Sequence, residues 1–324
     1  MKRKIEILAP AKNLYQGMAA VNAGADAVYM GAHQFGARSN ATNSVEDIAQ
    51  MVRYAHLFKA KVLVTINTIL YDNELSACRK LIHELYDVGV DAIIIQDMAI
   101  LEMDLPPIAL HASTQANNRD AAHVKFLADA GIKRVVLARE LNLDQIREIH
   151  QATDVELEFF VTGALCVSFS GNCYMSVANG ERSANRGSCA QNCRLPYQLI
   201  DGKGETLIHN SHLLSIKDLD LSNEVPNLVA AGVSSFKIEG RLKDIVYVKT
   251  IPPTCANAWT LSWRPIATAM KRPLRGALSI NSTPNWGAAS TEAIRITSST
   301  TAEKKLVHGK ALNPRGSILV SCWK

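Results

Sequence analysis

Four of the seven cysteines lie within 28 positions of one another, in one segment without internal repeats. They are Cys166, Cys173, Cys189 and Cys193. Thiolates bind soft metals and iron–sulfur clusters, and a thiolate is also a nucleophile and a redox group. Structural zinc sites use cysteine pairs with about two to four residues between them, a spacing that only Cys189 and Cys193 have. Thiolate-only ligation with irregular spacing therefore favours an iron–sulfur cluster.

The alternative is that these cysteines are small buried side chains of a loop, because free cysteine often behaves as a hydrophobic residue. Cys78 is expected to do so, since it lies beside Leu81 and Ile82 on a predicted helix. A disulfide framework is not expected, because the apolar run Ile5–Ala9 is too short for a secretory signal and a cytoplasmic protein is the default. No membrane span is expected either, since no stretch approaches about 20 apolar residues.

The elements that must position these cysteines alternate along the chain. Short apolar runs alternate with segments of helical period over residues 1–163, which is typical of a parallel sheet with crossover helices. The predicted strands are Ile5–Pro10, Ala27–Ala32, Lys61–Asn67, Ala92–Asp97, Ala109–Thr114, Arg134–Glu140, Glu156–Gly163 and, after an irregular stretch, Ser234–Glu239. Eight such units predict an α/β fold, a TIM-like (β/α)8 barrel with a cysteine-rich loop inserted after strand 7. An open doubly wound sheet is the alternative, but the first turn lacks the glycines of a phosphate-binding turn.

Polar side chains gather at the predicted carboxyl ends of the strands, which face the catalytic mouth of such a barrel. Buried polar groups are costly unless they pair with one another or with a ligand. For each of these residues a buried salt bridge or a structural hydrogen bond is the alternative to a catalytic role. The candidate catalytic residues are His111, Arg139, Glu158, Lys237, Glu239 and Arg241.

Charge and aromatic content divide the chain near residue 250. Residues 1–250 hold 25 Lys and Arg against 28 Asp and Glu, a net of −3, whereas residues 251–324 hold 10 and 2, a net of +8. All four Trp lie in the second part, and every Phe and Tyr lies in the first. The overall composition, with 48% hydrophobic and 20% charged residues, excludes a disordered or fibrous chain as a whole. We predict a barrel domain over residues 1–250, which includes a Cys-rich segment at 163–200.

Residues 251–324 are predicted to form an irregular tail that is aberrant or disordered. The composition changes inside the expected eighth helix, Leu242–Thr250, and Ile251-Pro252-Pro253 should stop that helix. An abrupt change in the middle of a required element is what a translated frameshift produces. A basic, flexible RNA-binding tail is the alternative.

Several motifs together resemble a known family. The longest are Glu158-Phe159-Phe160-Val161-Thr162-Gly163-Ala164-Leu165-Cys166, Ser170-Gly171-x-Cys173 and Asn185-Arg186-Gly187-x-Cys189-x-Gln191-x-Cys193-Arg194. They are joined by His111-Ala112-Ser113-Thr114-Gln115 and Phe236-Lys237-Ile238-Glu239-Gly240-Arg241. These motifs resemble the signature of the peptidase U32 family, and the resemblance covers residues 4 to about 250.

The resemblance implies an activity that neither composition nor spacing predicts. The family was catalogued as collagenase-like peptidases, but its better understood members are similar to oxygen-independent hydroxylases. These hold a [4Fe-4S] cluster and use prephenate as oxygen donor, and they act on a tRNA or rRNA base or on a ubiquinone precursor. This chain has Thr162 where many relatives have His, and Asp220 where some take a fourth cluster ligand from Cys. Cys166, Cys173, Cys189 and Cys193 are therefore the expected cluster ligands.

An RNA hydroxylase needs a surface for RNA and a pocket for a dianionic donor. Guanidinium groups match carboxylates, so the expected donor pocket uses Arg139 and Arg241 together with Lys237. RNA cannot be held by the overall charge of a body at −3, so a local basic patch is needed. The predicted RNA-binding patch is Arg182, Arg186 and Arg194.

Two other functions stay open at this stage. A peptidase is disfavoured, because no His-Glu-x-x-His motif occurs and the segment with four cysteines contains no His. A non-catalytic partner subunit that holds a cluster or zinc is the third reading, and polar groups aligned at several strand ends disfavour it. Whether a second subunit takes part is open.

Overall fold

The computed structural model describes residues 5–36, 43–240, 243–252 and 319–321 of the 324-residue chain. Seven strands precede the cysteine-rich segment: β1 (Glu6–Ala11), β2 (Ala27–Gly31), β3 (Lys61–Ile66), β4 (Ala92–Ile95), β5 (Ala109–Ala112), β6 (Arg134–Val136) and β7 (Glu156–Gly163). Four more follow: β8 (Tyr197–Ile200), β9 (Thr206–Ser211), β10 (Leu219–Asp220) and β11 (Val233–Ile238).

Eight parallel strands close into a barrel. β1 to β7 pair side by side in chain order, and β11 lies between β7 and β1. The predicted TIM-like (β/α)8 barrel, with an inserted cysteine-rich loop after strand 7, is therefore confirmed. The short strand β10 pairs antiparallel with β7, so it is attached to the barrel at the end where the inserted segment returns.

Helices cover the outside of the barrel. They are α1 (Leu14–Asn22), α2 (Val45–Leu57), α3 (Leu75–Asp87), α4 (Ala121–Asp129), α5 (Leu143–Ala152), α6 (Met175–Ala178) and α7 (Val225–Ala231). Asn13, Ser44, Asp120 and Asn142 cap α1, α2, α4 and α5, each accepting a hydrogen bond from a backbone N–H of the first turn. Only a short 3₁₀ turn, Met98–Glu102, connects β4 to β5. None of the described helices is long and apolar enough to cross a membrane.

The barrel interior is apolar on one side and charged on the other. The apolar cluster consists of Leu8, Ala27, Tyr29, Leu63, Ala92 and Ile94. Arg134 of β6 bonds to Glu6 of β1 across the barrel, which places both side chains inside it. Each buried Leu or Ile contributes about 1.5–3 kcal/mol, which offsets the desolvation of the charges.

Little of the predicted tail lies within the described residues. Residues 245–252 are helical, so the helix includes Ile251 and Pro252 rather than stopping at them. The backbone of Leu319–Ser321 forms a strand antiparallel to β8. The predictions for the four Trp and for a frameshift lie outside the described residues.

Candidate active site at the barrel mouth

The cysteine-rich segment leaves the barrel at a backbone crossing that only glycine allows. Gly163 ends β7 with φ +110, and a Cβ there would lie 2.2 Å from the carbonyl oxygen of Glu239. Glu239 follows β11, and its N–H donates to the carbonyl of Thr162. Strand ends β7 and β11 are thus in direct contact where the segment begins.

The segment then crosses the ends of β5 and β6. Gly171, at φ +77, packs so closely that a Cβ would lie 2.1 Å from the carbonyl oxygen of Gln115. Ser170 donates from its N–H and its hydroxyl to the Glu140 carboxylate, at 3.0 and 2.9 Å. Phe169 lies under the guanidinium of Arg119, 4.4 Å from the ring centroid. The part of the segment between Cys166 and Cys173 therefore covers the mouth.

The three arginines predicted to bind RNA hold the segment itself. Arg182 donates to the carbonyl of Cys189 at 2.8 Å, and Arg194 donates to the carbonyl of Leu165 at 2.9 Å. Arg186 forms a two-bond ion pair with Glu74, with both N–O distances 2.7 Å. Their guanidinium groups are thus engaged by the protein. The partners of Arg186 and Arg194 lie 112 and 29 residues away, where no local pattern shows them.

The four cysteines of the segment lie within electrostatic reach of one another. None of them forms a disulfide. Burial raises the pKa of the Cys166 thiol, and Cys173 and Cys189 raise it further. Burial likewise raises the pKa of the Cys193 thiol, and each of the other three cysteines adds to this effect. The four thiols therefore influence one another electrostatically.

The donor set suits a polynuclear cluster by its chemistry. Within the described residues, no group of three or more His, Cys, Asp or Glu side chains is placed so that it could hold a metal ion. A single ion needs all its sulfur ligands about 2.3 Å away, whereas in an iron–sulfur cluster each thiolate binds a different iron and the sulfurs stand farther apart. Four free cysteines with no competing His fit the second kind of group.

Arg139 and Glu239 form an ion pair beside the start of the segment. Arg139 donates to the Glu239 carboxylate at 2.7 Å and to the carbonyl of Ala164 at 3.1 Å. Its guanidinium also stacks on Phe160, 3.9 Å from the ring centroid. These two predicted catalytic residues do meet at the mouth, whereas Arg241 lies outside the described residues.

Glu158 and Lys237 lie deeper, in a closed network of charges. Lys237 donates to one oxygen of Glu158 at 2.7 Å, and Arg134 and Ser235 donate to the other at 3.2 Å. Burial by itself raises the pKa of Glu158, but Lys237 and Arg134 outweigh it and hold the pKa below its usual range. Glu158 and Lys237 thus have structural partners inside the barrel. A buried salt bridge of this kind was the alternative to a catalytic role that the sequence had left open.

His111 is a buried neutral imidazole. Burial lowers its pKa to about 3, and the positive charge of Arg134 contributes to the shift. Its Nδ1 atom has no hydrogen-bond partner among the described residues. His111 also lines a cavity of about 610 Å³ at the opposite end of the barrel, where Lys61, Arg134 and Glu156 begin their strands.

Buried polar atoms without a hydrogen-bond partner gather at the ends of β4, β5 and β6. The described residues with such atoms there include Gln96, Asn117, Asn118, Arg119 and Arg139. An unsatisfied buried group costs about 1–3 kcal/mol, so this concentration indicates a place where a ligand or water supplies the partners. Sequence reasoning missed Asn117, Asn118 and Arg119, although the polar run directly after β5 was a usable signal.

Comparison with known proteins gives the relationships of the chain. The model of peptidase family U32 matches residues 12–264. The chain is 56% identical over 248 residues to the 23S rRNA 5-hydroxycytidine C2501 synthase of Escherichia coli, covering 76% of this chain and 38% of that protein. It is 38% identical over 259 residues to the tRNA hydroxylation protein P1 of Bacillus subtilis, covering 77% and 61%. It is 36% identical over 265 residues to a collagenase of Porphyromonas gingivalis, covering 76% and 63%. The chain thus spans less than two thirds of each relative.

Proposed function

Because the chain belongs to the peptidase U32 family, we propose that it takes part in the hydroxylation of an RNA base at the mouth of its barrel. Relatives named as an rRNA hydroxycytidine synthase and a tRNA hydroxylation protein support this proposal. The observation that carries it is the position of the cysteine segment, packed over strand ends with unpartnered polar atoms. Redox-active ligands and a polar compartment then share one mouth, as an oxidation of a polar substrate requires.

Cys166, Cys173, Cys189 and Cys193 would hold the [4Fe-4S] cluster that the family resemblance implies. A cluster bound there would supply electron transfer and a Lewis-acidic iron. The role of the chain is to fix the loop that carries the ligands. Arg139 and Arg194 bind the two carbonyls before Cys166, and Arg182 binds the carbonyl of Cys189.

The oxygen donor of this proposal is prephenate, a dianion, as the resemblance implies. Carboxylates are matched by guanidinium groups, and the Nε atoms of Arg119 and Arg139 have no partner among the described residues. The ammonium of Lys237 is bound to Glu158, so Lys237 supports the pocket from below rather than binding the donor. Arg241 remains a candidate on sequence grounds alone.

Analysis of cellular RNA tests the function. We would express the chain in Escherichia coli cells that lack both their rRNA hydroxycytidine synthase and their tRNA hydroxylation protein P, and measure hydroxylated nucleosides by mass spectrometry. We expect a hydroxylated nucleoside with the native chain and none with Cys173→Ser. The anaerobically purified native protein should contain about four iron and four sulfide per chain. A metal-free protein that forms no hydroxylated nucleoside would contradict the proposal.

A peptidase is the second candidate function, because one relative is named a collagenase. A cysteine peptidase needs a thiolate activated by His. His212 bonds to the carbonyl of Arg194 and His209 bonds to Gln198, so neither of these ring nitrogens is bound to a thiol. Incubation with gelatin distinguishes the candidates: cleavage that Cys166→Ser abolishes would favour the peptidase, and intact gelatin the hydroxylase.

A further inference from the structure

We propose that three exposed aromatic side chains at the barrel mouth, Phe169, Tyr174 and Tyr71, form a stacking platform for unpaired RNA bases. The inference rests on the proposed function and deepens it, because it names the surface that holds the RNA. It also replaces the predicted arginine patch, whose guanidinium groups hold the protein's own backbone and Glu74.

The three rings belong to one connected group of loops. Phe169 and Tyr174 stand on either side of Gly171 and Cys173 in the cysteine segment. Tyr71 lies in the loop after β3, where the N–H of Ile69 donates to the carbonyl of Asn185 at 3.2 Å. Because these loops are bonded to each other, the rings lie on the rim of the same mouth as the predicted cluster ligands.

All three rings are mostly exposed, so they contribute little to the stability of the folded chain. The exposed fractions are 59% for Phe169, 65% for Tyr174 and 60% for Tyr71. Arg119 covers one face of Phe169, and Arg186 lies 4.0 Å from the Tyr71 ring centroid. In these two pairs the guanidinium polarises the ring from one face. It also keeps positive charge close to a base that stacks on the exposed surface of the ring.

Unpaired RNA is the occupant that this surface fits best. A body with a net charge of −3 over residues 1–250 cannot hold phosphates by its overall field. Stacking on aromatic side chains contributes about 1–3 kcal/mol per base and depends little on net charge. Bases inside a duplex have their faces covered by neighbours, so the platform selects unpaired nucleotides.

Matched variants test the platform. We would measure the affinity of the native chain and of Phe169→Leu, Tyr174→Leu and Tyr71→Leu for an unpaired RNA of about 12 nucleotides, and for the same strand in a duplex. The controls are Phe126→Leu and Tyr86→Leu, because these rings are also exposed, at 60% and 39%, but Phe126 lies in the middle of α4 and Tyr86 near the carboxyl end of α3. Unfolding curves confirm that each variant is folded.

We expect each platform variant to weaken binding of the unpaired RNA roughly 5- to 150-fold. The control variants should change it less than about twofold, since nothing stacks on their rings. The salt dependence of binding should stay the same, because no phosphate contact is removed. Equal affinity for the duplex, or equal losses in control and platform variants, would overturn the platform and leave these rings to a protein partner.

The two proposals fail in different ways. If a variant that combines Phe169→Leu, Tyr174→Leu and Tyr71→Leu still forms the hydroxylated nucleoside at the native rate, the platform is wrong and the hydroxylase stands. If the native chain binds unpaired RNA through these rings but forms no hydroxylated nucleoside and holds no iron, the platform stands and the hydroxylase is wrong.

Discussion

The two ends of the barrel treat buried polar groups in opposite ways. At the end where the strands begin, Arg134 is bound by three carboxylates, those of Glu6, Glu156 and Glu158. At the mouth, side chains such as Gln96 and Asn118 are as buried but have oxygen atoms without a partner among the described residues. We conclude that a buried charge serves the fold where the chain itself supplies all of its partners.

Cavity volume alone points to the end of the barrel where the strands begin. The space of about 610 Å³ lies where the strands begin, and its charged lining includes the paired residues Lys61, Arg134 and Glu156. Such pairs leave a ligand little to bind, whereas each unpaired group at the mouth gains about 1–3 kcal/mol when a partner arrives.

The largest effect is expected from breaking the closed network. Arg134→Met leaves Glu6 and Glu158 buried without their guanidinium, and removal of one partner from a buried pair costs about 3–5 kcal/mol. Urea unfolding should show this loss of free energy. Arg147→Met, which breaks an exposed pair with Asp144, is the control and should change it by less than about 1 kcal/mol. Similar losses in both variants would contradict a structural role for the network.

The second effect is a pH dependence that originates from His111. Its pKa is about 3 in the folded chain, against 6.5 for an ordinary exposed histidine. The unfolded chain therefore binds the proton first, and the free energy of unfolding falls as the pH drops from 6.5 towards 3. At pH 5 the loss should be about 2 kcal/mol relative to pH 7.5. His111→Gln should remove this loss, whereas His209→Gln, at an exposed position, should leave it unchanged. An unaltered pH profile in the first variant would rule out His111 as its source.

The barrel could be predicted from the sequence because each of its eight units carries a local signal. Strand ends were less predictable: Arg134–Glu140 was predicted where β6 ends at Val136. The reason is that Ala138 donates to the carbonyl of Asn118 and not to a strand neighbour. That partner belongs to another loop, and no periodicity reveals it.

The site was predictable in residue type but not in partnership. The four cysteines and the strand-end arginines stand out because thiols and guanidiniums are chemically distinctive. Arg134 and Arg139 lie five positions apart, yet one closes the internal network and the other pairs at the mouth with Glu239. Their partners are up to 128 residues away, so only the folded chain shows which arginine serves which end.

A third prediction concerns the contact that closes the segment over the mouth. In Gly171→Ala the new Cβ would meet the Gln115 carbonyl at 2.1 Å, so the turn must move away from β5. Gly204→Ala is the matched control, since φ is +89 there but nothing lies within 4 Å. Both variants carry the same left-handed strain, so any further loss of unfolding free energy in Gly171→Ala measures the clash with the backbone of Gln115. Hydroxylated product should fall about tenfold in the first variant only.

The smallest effect is expected at Arg139, where charge and geometry can be separated. Arg139→Lys keeps the positive charge opposite Glu239 but loses the planar fork that also reaches the carbonyl of Ala164. One hydrogen bond of that kind contributes about 1 kcal/mol, so product formation should fall about fivefold while the unfolding free energy changes by less than about 1 kcal/mol. Arg53→Lys, in an exposed pair with Glu46, should change neither quantity. If Arg139→Lys lowers stability as much as Arg134→Met does, the two ends do not differ in the way proposed, because the mouth pair would then also serve the fold. If instead product is lost with stability unchanged, the mouth is where the chain holds charge ready for a ligand.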